Sequence, residues 1–108
     1  MPNSIFRPAL LAIATTLWCS LAAHADEQQA LYTKSLAATC ASCHGTFGKS
    51  IKDGVLPSLA GMQSDDIAEQ MRAFKTGTRT ATVMHQIAKG YSEEQIKLMA
   101  DYFASQQP

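Results

Sequence analysis

Five consecutive residues, Cys40-Ala41-Ser42-Cys43-His44, constrain this chain of 108 residues more than any other feature. Two thiols and one imidazole fall within little more than one helical turn. Side chains three positions apart project from the same side of such a turn, so both sulfurs reach one partner together. Any fold proposed for the chain must explain why two thiols and an imidazole lie so close together.

The first 25 residues have the pattern of a secretory signal peptide. A short lead containing Arg7 precedes the apolar run ALLAIATTL at 9–17. Ala23 and Ala25 then form the small-x-small motif of a cleavage site, with acidic residues directly after it. We therefore predict a signal peptide at 1–25, cleavage after Ala25 and export to the periplasm.

Two other interpretations of the N-terminus are weaker. The apolar run is shorter than the ~20 residues needed to cross a bilayer, which disfavours an uncleaved membrane anchor. A lipoprotein signal at Cys19 is disfavoured because the bulky Trp18 precedes it, where small residues are required. We expect a mature domain at 26–108 with no transmembrane segment.

The mature domain is small and nearly neutral. It carries eight Lys and Arg, which is nine less Arg7, against nine Asp and Glu. This balance gives no basic surface for nucleic acid. A domain of this size buries only ~60% of its unfolded surface and is marginally stable without a disulfide, metal or other staple. Because Cys40 and Cys43 would close too short a loop to staple a fold, something else must complete the core.

The spacing of apolar residues is helical almost throughout. We predict one helix at 27–39 and a second opened by Ser64 as N-cap and ended by Gly77. The second helix carries an apolar stripe made of Ile67, Met71 and Phe74.

Two further helices are predicted near the C-terminus. A short one lies at 82–89 and ends at Gly90, and a long one is opened by the capping box formed by Ser92 and Gln95. The segment 45–61 is rich in glycine and irregular, and no stretch alternates with a period of two. The chain is therefore predicted to be all-α, with three long helices and one short one.

Two interpretations of the cysteine cluster fit the rest of the chain poorly. A structural zinc site needs four ligands, usually from two pairs, and the mature chain has no second cysteine pair. A redox dithiol of the thioredoxin type lies at the start of a helix after a strand, whereas these cysteines follow a helix. An inert disulfide explains neither the adjacent His44 nor the missing core.

Covalent attachment of haem uses all three reactive groups. C-x-x-C-H is the attachment motif of c-type haem: Cys40 and Cys43 would form thioethers with the porphyrin, and His44 would bind the iron. Export agrees with this interpretation, since such attachment takes place outside the cytoplasm. One covalent haem c would also supply the hydrophobic centre that the helices lack.

The second axial ligand is predicted to be Met84. The mature chain offers four methionines, but Met71 and Met99 lie on apolar helix faces and Met62 lies close to the loop after the motif. Met84 lies in a threonine-rich approach between two helices and is free to cover the far face of the iron. His85 is the alternative ligand, although we expect it to be exposed to solvent.

These pieces together resemble the class I c-type cytochromes across the whole mature chain. The matching stretches are CASCHG at 40–45, PSLAG at 57–61, DDIAEQMRAFKTG at 65–77, the loop with Met84, and SEEQIKLMADYFASQ at 92–106. The resemblance implies a cytochrome c fold, three main helices plus a short one wrapped around one covalent haem. It also implies that the carbonyl of Pro57 orients His44 by accepting a hydrogen bond from its outer nitrogen.

A narrower resemblance concerns the C-terminal half. FKTG at 74–77 and TVMHQIAKGYSEEQIKLMADYF at 82–103 are similar to the cytochrome subunit of flavocytochrome c sulfide dehydrogenase and to its c4 and c553 relatives. The resemblance implies electron transfer rather than catalysis, with a flavoprotein (FAD) as partner. The alternative is a freely diffusing carrier between respiratory complexes. A sensor or peroxidase would need a vacant iron position.

Overall fold

The computed structural model describes residues 24–108. Residues 33–108 form one compact unit, and residues 24–32 belong to a separate unit whose described part is helical and exposed. The predicted signal peptide lies almost wholly outside the described residues.

Helices account for all regular structure in the described part of the chain. The first, α1, occupies 24–38, and the others are α2 (Ala41–His44), α3 (Ser64–Thr76), α4 (Met84–Lys89) and α5 (Glu93–Ala104). A 3-10 turn, Thr46–Gly48, follows α2. The all-α prediction of three long helices and a short one is confirmed, and α2 with its 3-10 turn is an addition. α3 packs against both α4 and α5.

The helix ends follow local chemistry at three of the four predicted places, namely Gly77, Gly90 and Ser92. Ser92 caps α5, since its hydroxyl accepts from the Gln95 amide at 3.1 Å and the Gln95 side chain accepts from the Ser92 amide at 2.9 Å. Gly77 ends α3 in the left-handed conformation, as expected.

The prediction that Ser64 caps α3 is wrong. The first helical bond of α3 runs from Ile67 to the carbonyl of Gln63, so Gln63 occupies the N-cap and Ser64 is already helical. The Ser64 hydroxyl instead donates to the Asp101 carboxylate of α5 at 2.5 Å. A contact between helices has replaced a contact within one helix. The hydrogen bond from Lys97, followed by the one from Ser64, lowers the pKa of Asp101.

The core of the compact unit is built largely from small side chains. Five of the nine buried hydrophobic residues are alanines, and Ile96 is the largest side chain that is fully buried among the described residues. Met99 and Phe103 from α5 and Ile67 from α3 complete the buried cluster. Such an interior offers little hydrophobic area of its own, so the structure still needs a large apolar group.

Gly48 is the point where the loop after α2 meets the rest of the fold. Its φ is +76°, and a Cβ on it would lie 2.6 Å from the ring of Phe103. Its carbonyl accepts from the amides of Leu59 and Ala60 and from the hydroxyl of Ser58. The irregular segment is therefore fastened to the core through one residue that only glycine suits.

None of the helices in the described part of the chain combines the length and the apolar character needed to cross a bilayer.

Replacing Gly48 by alanine should destabilise the fold more than the same change at Gly77. Both residues have positive φ, which costs an alanine about 1–2 kcal/mol. A Cβ at Gly77 meets nothing within 4 Å, whereas at Gly48 it must displace Phe103, and such overpacking adds about 1–3 kcal/mol. Urea unfolding of the matured protein measures both free energies, and equal losses would contradict this account.

Candidate functional site

A cavity of ≈ 500 Å³ opens between α2, the following loop, α3, α4 and α5. Its walls are mainly apolar, with Leu59, Phe74 and Ile96 among them. Cavities of ~300–1,000 Å³ with apolar walls and few polar groups are typical of cofactor sites. All the residues predicted for the site line this cavity, namely Cys40, Cys43, His44, Pro57 and Met84.

The short helix α2 presents both cysteines to the cavity. Cys40 is its N-cap, and the amides of Cys43 and His44 both donate to the Cys40 carbonyl, at 3.2 and 2.9 Å. The motif therefore folds as a single helical turn, which is the geometry that its spacing requires. Both thiols are free, Cys40 being half-buried and Cys43 exposed.

The two thiols differ in their surroundings. Burial raises the pKa of the Cys40 thiol, and the contact with the Thr39 hydroxyl offsets part of that rise. Cys40 therefore stays neutral at physiological pH and sits within the apolar wall. Cys43 lies at the solvent-facing rim, so the motif spans from the interior of the cavity to its edge.

His44 is the buried polar residue at the centre of the motif, with 8% of its surface exposed. Its Nδ1 lies 2.8 Å from the carbonyl oxygen of Pro57. Because a carbonyl only accepts hydrogen bonds, this contact requires the proton on Nδ1. The lone pair of Nε2 is then available for a metal, and the hydrogen bond fixes the plane of the ring.

The loop after α2 brings Pro57 to the histidine. The carbonyl of Gly48 binds Ser58 and Leu59, the two residues after Pro57, at 2.9 and 2.7 Å. The Pro57 carbonyl is thereby held beside α2 even though the proline itself is exposed. The position of the imidazole thus depends on a glycine four residues after it.

The four methionines predicted to belong to the mature chain all line the cavity, but they differ in what else they contact. Met99 is part of the buried core, and Met62 and Met71 pack against it. Met84 is outside that cluster and is the first residue of α4, at the end of the segment that follows α3. Of the four methionines that line the cavity, Met84 is therefore the one that is not packed in or against the hydrophobic core.

His85 departs from expectation. It is half-buried rather than exposed to solvent, and its Nδ1 is buried without a hydrogen-bond partner in the described part of the chain. It does not belong to the cavity wall. The helical turn of α4 gives adjacent residues different directions, so Met84 borders the cavity and His85 does not.

Sequence reasoning missed a hydrogen bond at the cavity edge. The hydroxyls of Thr39 and Tyr91 lie 2.7 Å apart, and the Thr39 hydroxyl also donates to the carbonyl of Leu36. Thr39 therefore accepts from Tyr91, which ties the residue before Cys40 to the start of α5. The two residues are 52 positions apart, so no local sequence pattern predicts their contact.

These groups fit a covalently attached haem. The cavity offers two free thiols spaced for two thioethers, an imidazole with its Nε2 lone pair free, and a thioether from a separate element. The mixture of nitrogen and sulfur donors is one that haem iron accepts. The apolar walls would cover the faces of a flat hydrophobic ring.

Comparison with known proteins agrees with the site. Residues 26–107 match the family model for cytochrome c, so the chain belongs to the cytochrome c family. Membership of this family implies covalently bound haem c and a role in electron transfer. The sequence resemblance to class I c-type cytochromes is confirmed.

Three relatives illustrate the range of this similarity. The chain is 46% identical over 70 residues to the cytochrome subunit of sulfide dehydrogenase from Chlorobaculum tepidum, a match covering 65% of this chain and 62% of that protein. Cytochrome c4 of Pseudomonas aeruginosa is 34% identical, over 90% of this chain and 47% of its own length. Cytochrome c-553 of Nitratidesulfovibrio vulgaris is 31% identical, over 77% and 79%. The match thus spans less than two thirds of the first two proteins.

The hydrogen bond between Thr39 and Tyr91 should contribute measurably to stability. Thr39→Val and Tyr91→Phe should each lower the free energy of unfolding by about 0.5–1.5 kcal/mol, the usual net value of one bond. The double variant should lose less than the sum of the two, since both changes break the same contact.

Urea unfolding of the four proteins measures this coupling. Tyr102→Phe is a matched control, because no hydrogen bond of its hydroxyl occurs in the described part of the chain. Strictly additive losses would show that the two hydroxyls do not stabilise each other.

Proposed function

We propose that this protein carries electrons through a single haem c as the haem subunit of a flavoprotein sulfide dehydrogenase. Cys40 and Cys43 would hold the haem covalently, and His44 and Met84 would be the axial ligands of its iron. The observation that carries the proposal is the 2.8 Å contact between His44 Nδ1 and the Pro57 carbonyl. It leaves Nε2 of a buried imidazole free at the wall of a cavity lined by both thiols.

The bound group would supply an iron that alternates between the ferrous and ferric states. The residues that hold the iron would determine whether it transfers electrons or binds a substrate. With both His44 and Met84 holding the iron, no position would remain for oxygen or peroxide, and the site would transfer electrons rather than catalyse a reaction. Retaining both ligands in both oxidation states means that little has to rearrange on transfer.

Two contacts of the chain would tune the reduction potential in opposite directions. The soft thioether of Met84 favours the ferrous state and raises the potential. The hydrogen bond to Pro57 makes the imidazole of His44 a stronger electron donor and favours the ferric state. Burial of the site would add to the first effect, because a low-dielectric environment disfavours the more highly charged ion.

A single haem is proposed because the sequence contains one C-x-x-C-H motif. The exposed side of the motif at Cys43 offers a route by which electrons would enter and leave. Lys49 and Lys52 are exposed in the loop after the motif and lie outside the cavity wall. They belong to a solvated surface near that route. Electron-transfer contacts of this kind are small and transient.

The flavoprotein partner is supported by similarity and by charge. The Chlorobaculum tepidum relative is, by its name, a subunit of sulfide dehydrogenase. The near-neutral charge balance argues against strong electrostatic steering and agrees with a stable interface or a weakly charged partner. The alternative, a freely diffusing carrier, is favoured by the similarity to cytochrome c-553, of which the match covers 79%.

We propose that the protein is periplasmic and that 1–25 is a signal peptide cleaved after Ala25. The match to the cytochrome c family model begins at residue 26, which supports a domain boundary there. Covalent attachment of haem outside the cytoplasm agrees with export.

Met84→Ala tests the axial ligand. The oxidised variant should lose the weak far-red absorption band that arises from sulfur-to-iron charge transfer, because no other thioether replaces the ligand. Met71→Ala and His85→Ala are controls and should retain the band, as Met71 packs against the core and His85 lies outside the cavity wall.

Absorption spectra and intact mass decide the outcome. Each protein should have the mass of 26–108 plus one haem, which shows that attachment is unaffected. A band that survives Met84→Ala, or a parent protein that lacks the band, would refute the methionine assignment.

Purification from the native periplasm tests the partner. The proposal predicts a complex in which this chain and an FAD-containing flavoprotein are present in equal amounts, and sulfide should reduce the haem only when the flavoprotein is present. A monomer that lacks a flavoprotein and is reduced rapidly by other cytochromes would instead establish the freely diffusing carrier.

A further inference from the structure

Met84 begins a short helix whose position depends on other elements. α4 has six residues and packs against α3, and Ala88 is its one buried residue. Its N-cap, Val83, has no side-chain atom that could accept a hydrogen bond from the first turn. A helix this short is not stable by itself. The position of the Met84 thioether therefore depends on what holds the other end of α4.

Tyr91 holds that other end through two contacts with distant parts of the chain. It follows the C-cap Gly90, and its amide donates to the carbonyl of Ala88 at 3.3 Å. Its own carbonyl accepts from Nζ of Lys75, on α3, at 2.5 Å. Its hydroxyl lies 2.7 Å from that of Thr39. The main chain of Tyr91 is thus bound to α3, and its side chain is bound to the residue that follows α1.

A third group sets the direction of the hydrogen bond between Thr39 and Tyr91. The Thr39 hydroxyl has one proton, which it donates to the carbonyl of Leu36 at 2.7 Å, so it accepts from the phenol of Tyr91. Both residues line the cavity, and Thr39 directly precedes Cys40. At the cavity wall, this bond joins the segment that carries the two thiols to the segment that carries Met84.

We propose that Tyr91 is a positioning residue for Met84: by binding Thr39, it ties α4 to the attachment motif and keeps the thioether on the haem iron. The porphyrin would be bonded to Cys40, next to one partner of this hydrogen bond, while α4 directly precedes the other. Breaking the bond would leave α4 freer to move away from the iron. This inference rests on the haem site and the axial ligands proposed above.

Competition by a small ligand would report how firmly Met84 is held. A ligand from solution can bind the iron only in molecules from which the thioether has been released. Its apparent affinity is therefore lowered by the small fraction of such molecules. Any contact that holds α4 in place reduces that fraction, and loss of the contact should increase it.

The experiment measures the binding of imidazole to the oxidised, haem-loaded protein through loss of the far-red band. Tyr91→Phe and Thr39→Val should each raise the apparent affinity about two- to tenfold, the effect of one net hydrogen bond on an equilibrium. The double variant should resemble either single variant, since both changes break the same contact. Thr39→Ser keeps the hydroxyl and should retain the affinity of the parent protein.

Ser64→Ala separates this role from a general loss of stability. The Ser64 hydroxyl also joins two helices, through its 2.5 Å hydrogen bond to Asp101, but neither residue lines the cavity. Urea unfolding should show that Ser64→Ala is less stable than the parent protein, whereas its affinity for imidazole should be unchanged. An equal rise in affinity in Ser64→Ala and Tyr91→Phe would overturn the inference.

Two basic residues of α3 test the main-chain contact of Tyr91. Lys75 and Arg72 both bind Glu93, at 3.8 and 2.7 Å, but of the two only Lys75 also donates to the carbonyl of Tyr91. Lys75→Met should therefore raise the affinity for imidazole, and Arg72→Met should not. Equal effects of the two changes would attribute them to Glu93 and would contradict the role of the Tyr91 main chain.

The outcomes distinguish this inference from the proposed function. Intact mass shows whether haem is attached, and the far-red band of the parent protein shows whether sulfur binds its iron. A parent protein that lacks either would refute the proposed function. A parent protein that has both, and whose affinity for imidazole is the same in Tyr91→Phe and Thr39→Val, would refute only the role of Tyr91.

Discussion

The structure depends on a hydrophobic core that the polypeptide leaves incomplete. Small side chains make up most of the buried apolar residues, and Ile96 is the largest fully buried side chain in the described part of the chain. Beside this thin interior lies a cavity of ≈ 500 Å³ with largely apolar walls. A small helical unit gains too little from burying alanines to offset its loss of conformational entropy. The cofactor is therefore a structural requirement as much as a functional one.

A chain of short-range contacts connects that core to the chemistry of the iron site. Phe103 leaves room for glycine alone at Gly48, whose carbonyl holds the residues that follow Pro57. The Pro57 carbonyl in turn fixes the proton and the orientation of His44. The packing of Phe103 on Gly48 therefore affects the orientation of the His44 imidazole, because each contact between them tolerates little displacement.

Charge is distributed in a way that suits a carrier. The described ion pairs all lie at the surface, where they contribute little to stability. The cavity wall, by contrast, is mainly apolar, and Arg79 is the one side chain among its described residues that is charged at neutral pH. A low dielectric strengthens the effect of any charge near the site. In the proposed site, the potential would depend on a few groups, namely the thioether of Met84 and the imidazole of His44 with its hydrogen bond.

Features that depend only on neighbouring residues could be predicted from the amino-acid sequence. The turn that joins Cys40 and Cys43, the capping box at Ser92 and the helix end at Gly77 are all local, and each was predictable. The tertiary structure alone decided contacts between distant segments, such as Thr39 with Tyr91 and Ser64 with Asp101, which lie 52 and 37 positions apart. Ser64 and His85 were misjudged for the same reason: a side chain satisfies its polar atoms with whatever the fold brings near, and local pattern does not contain that information.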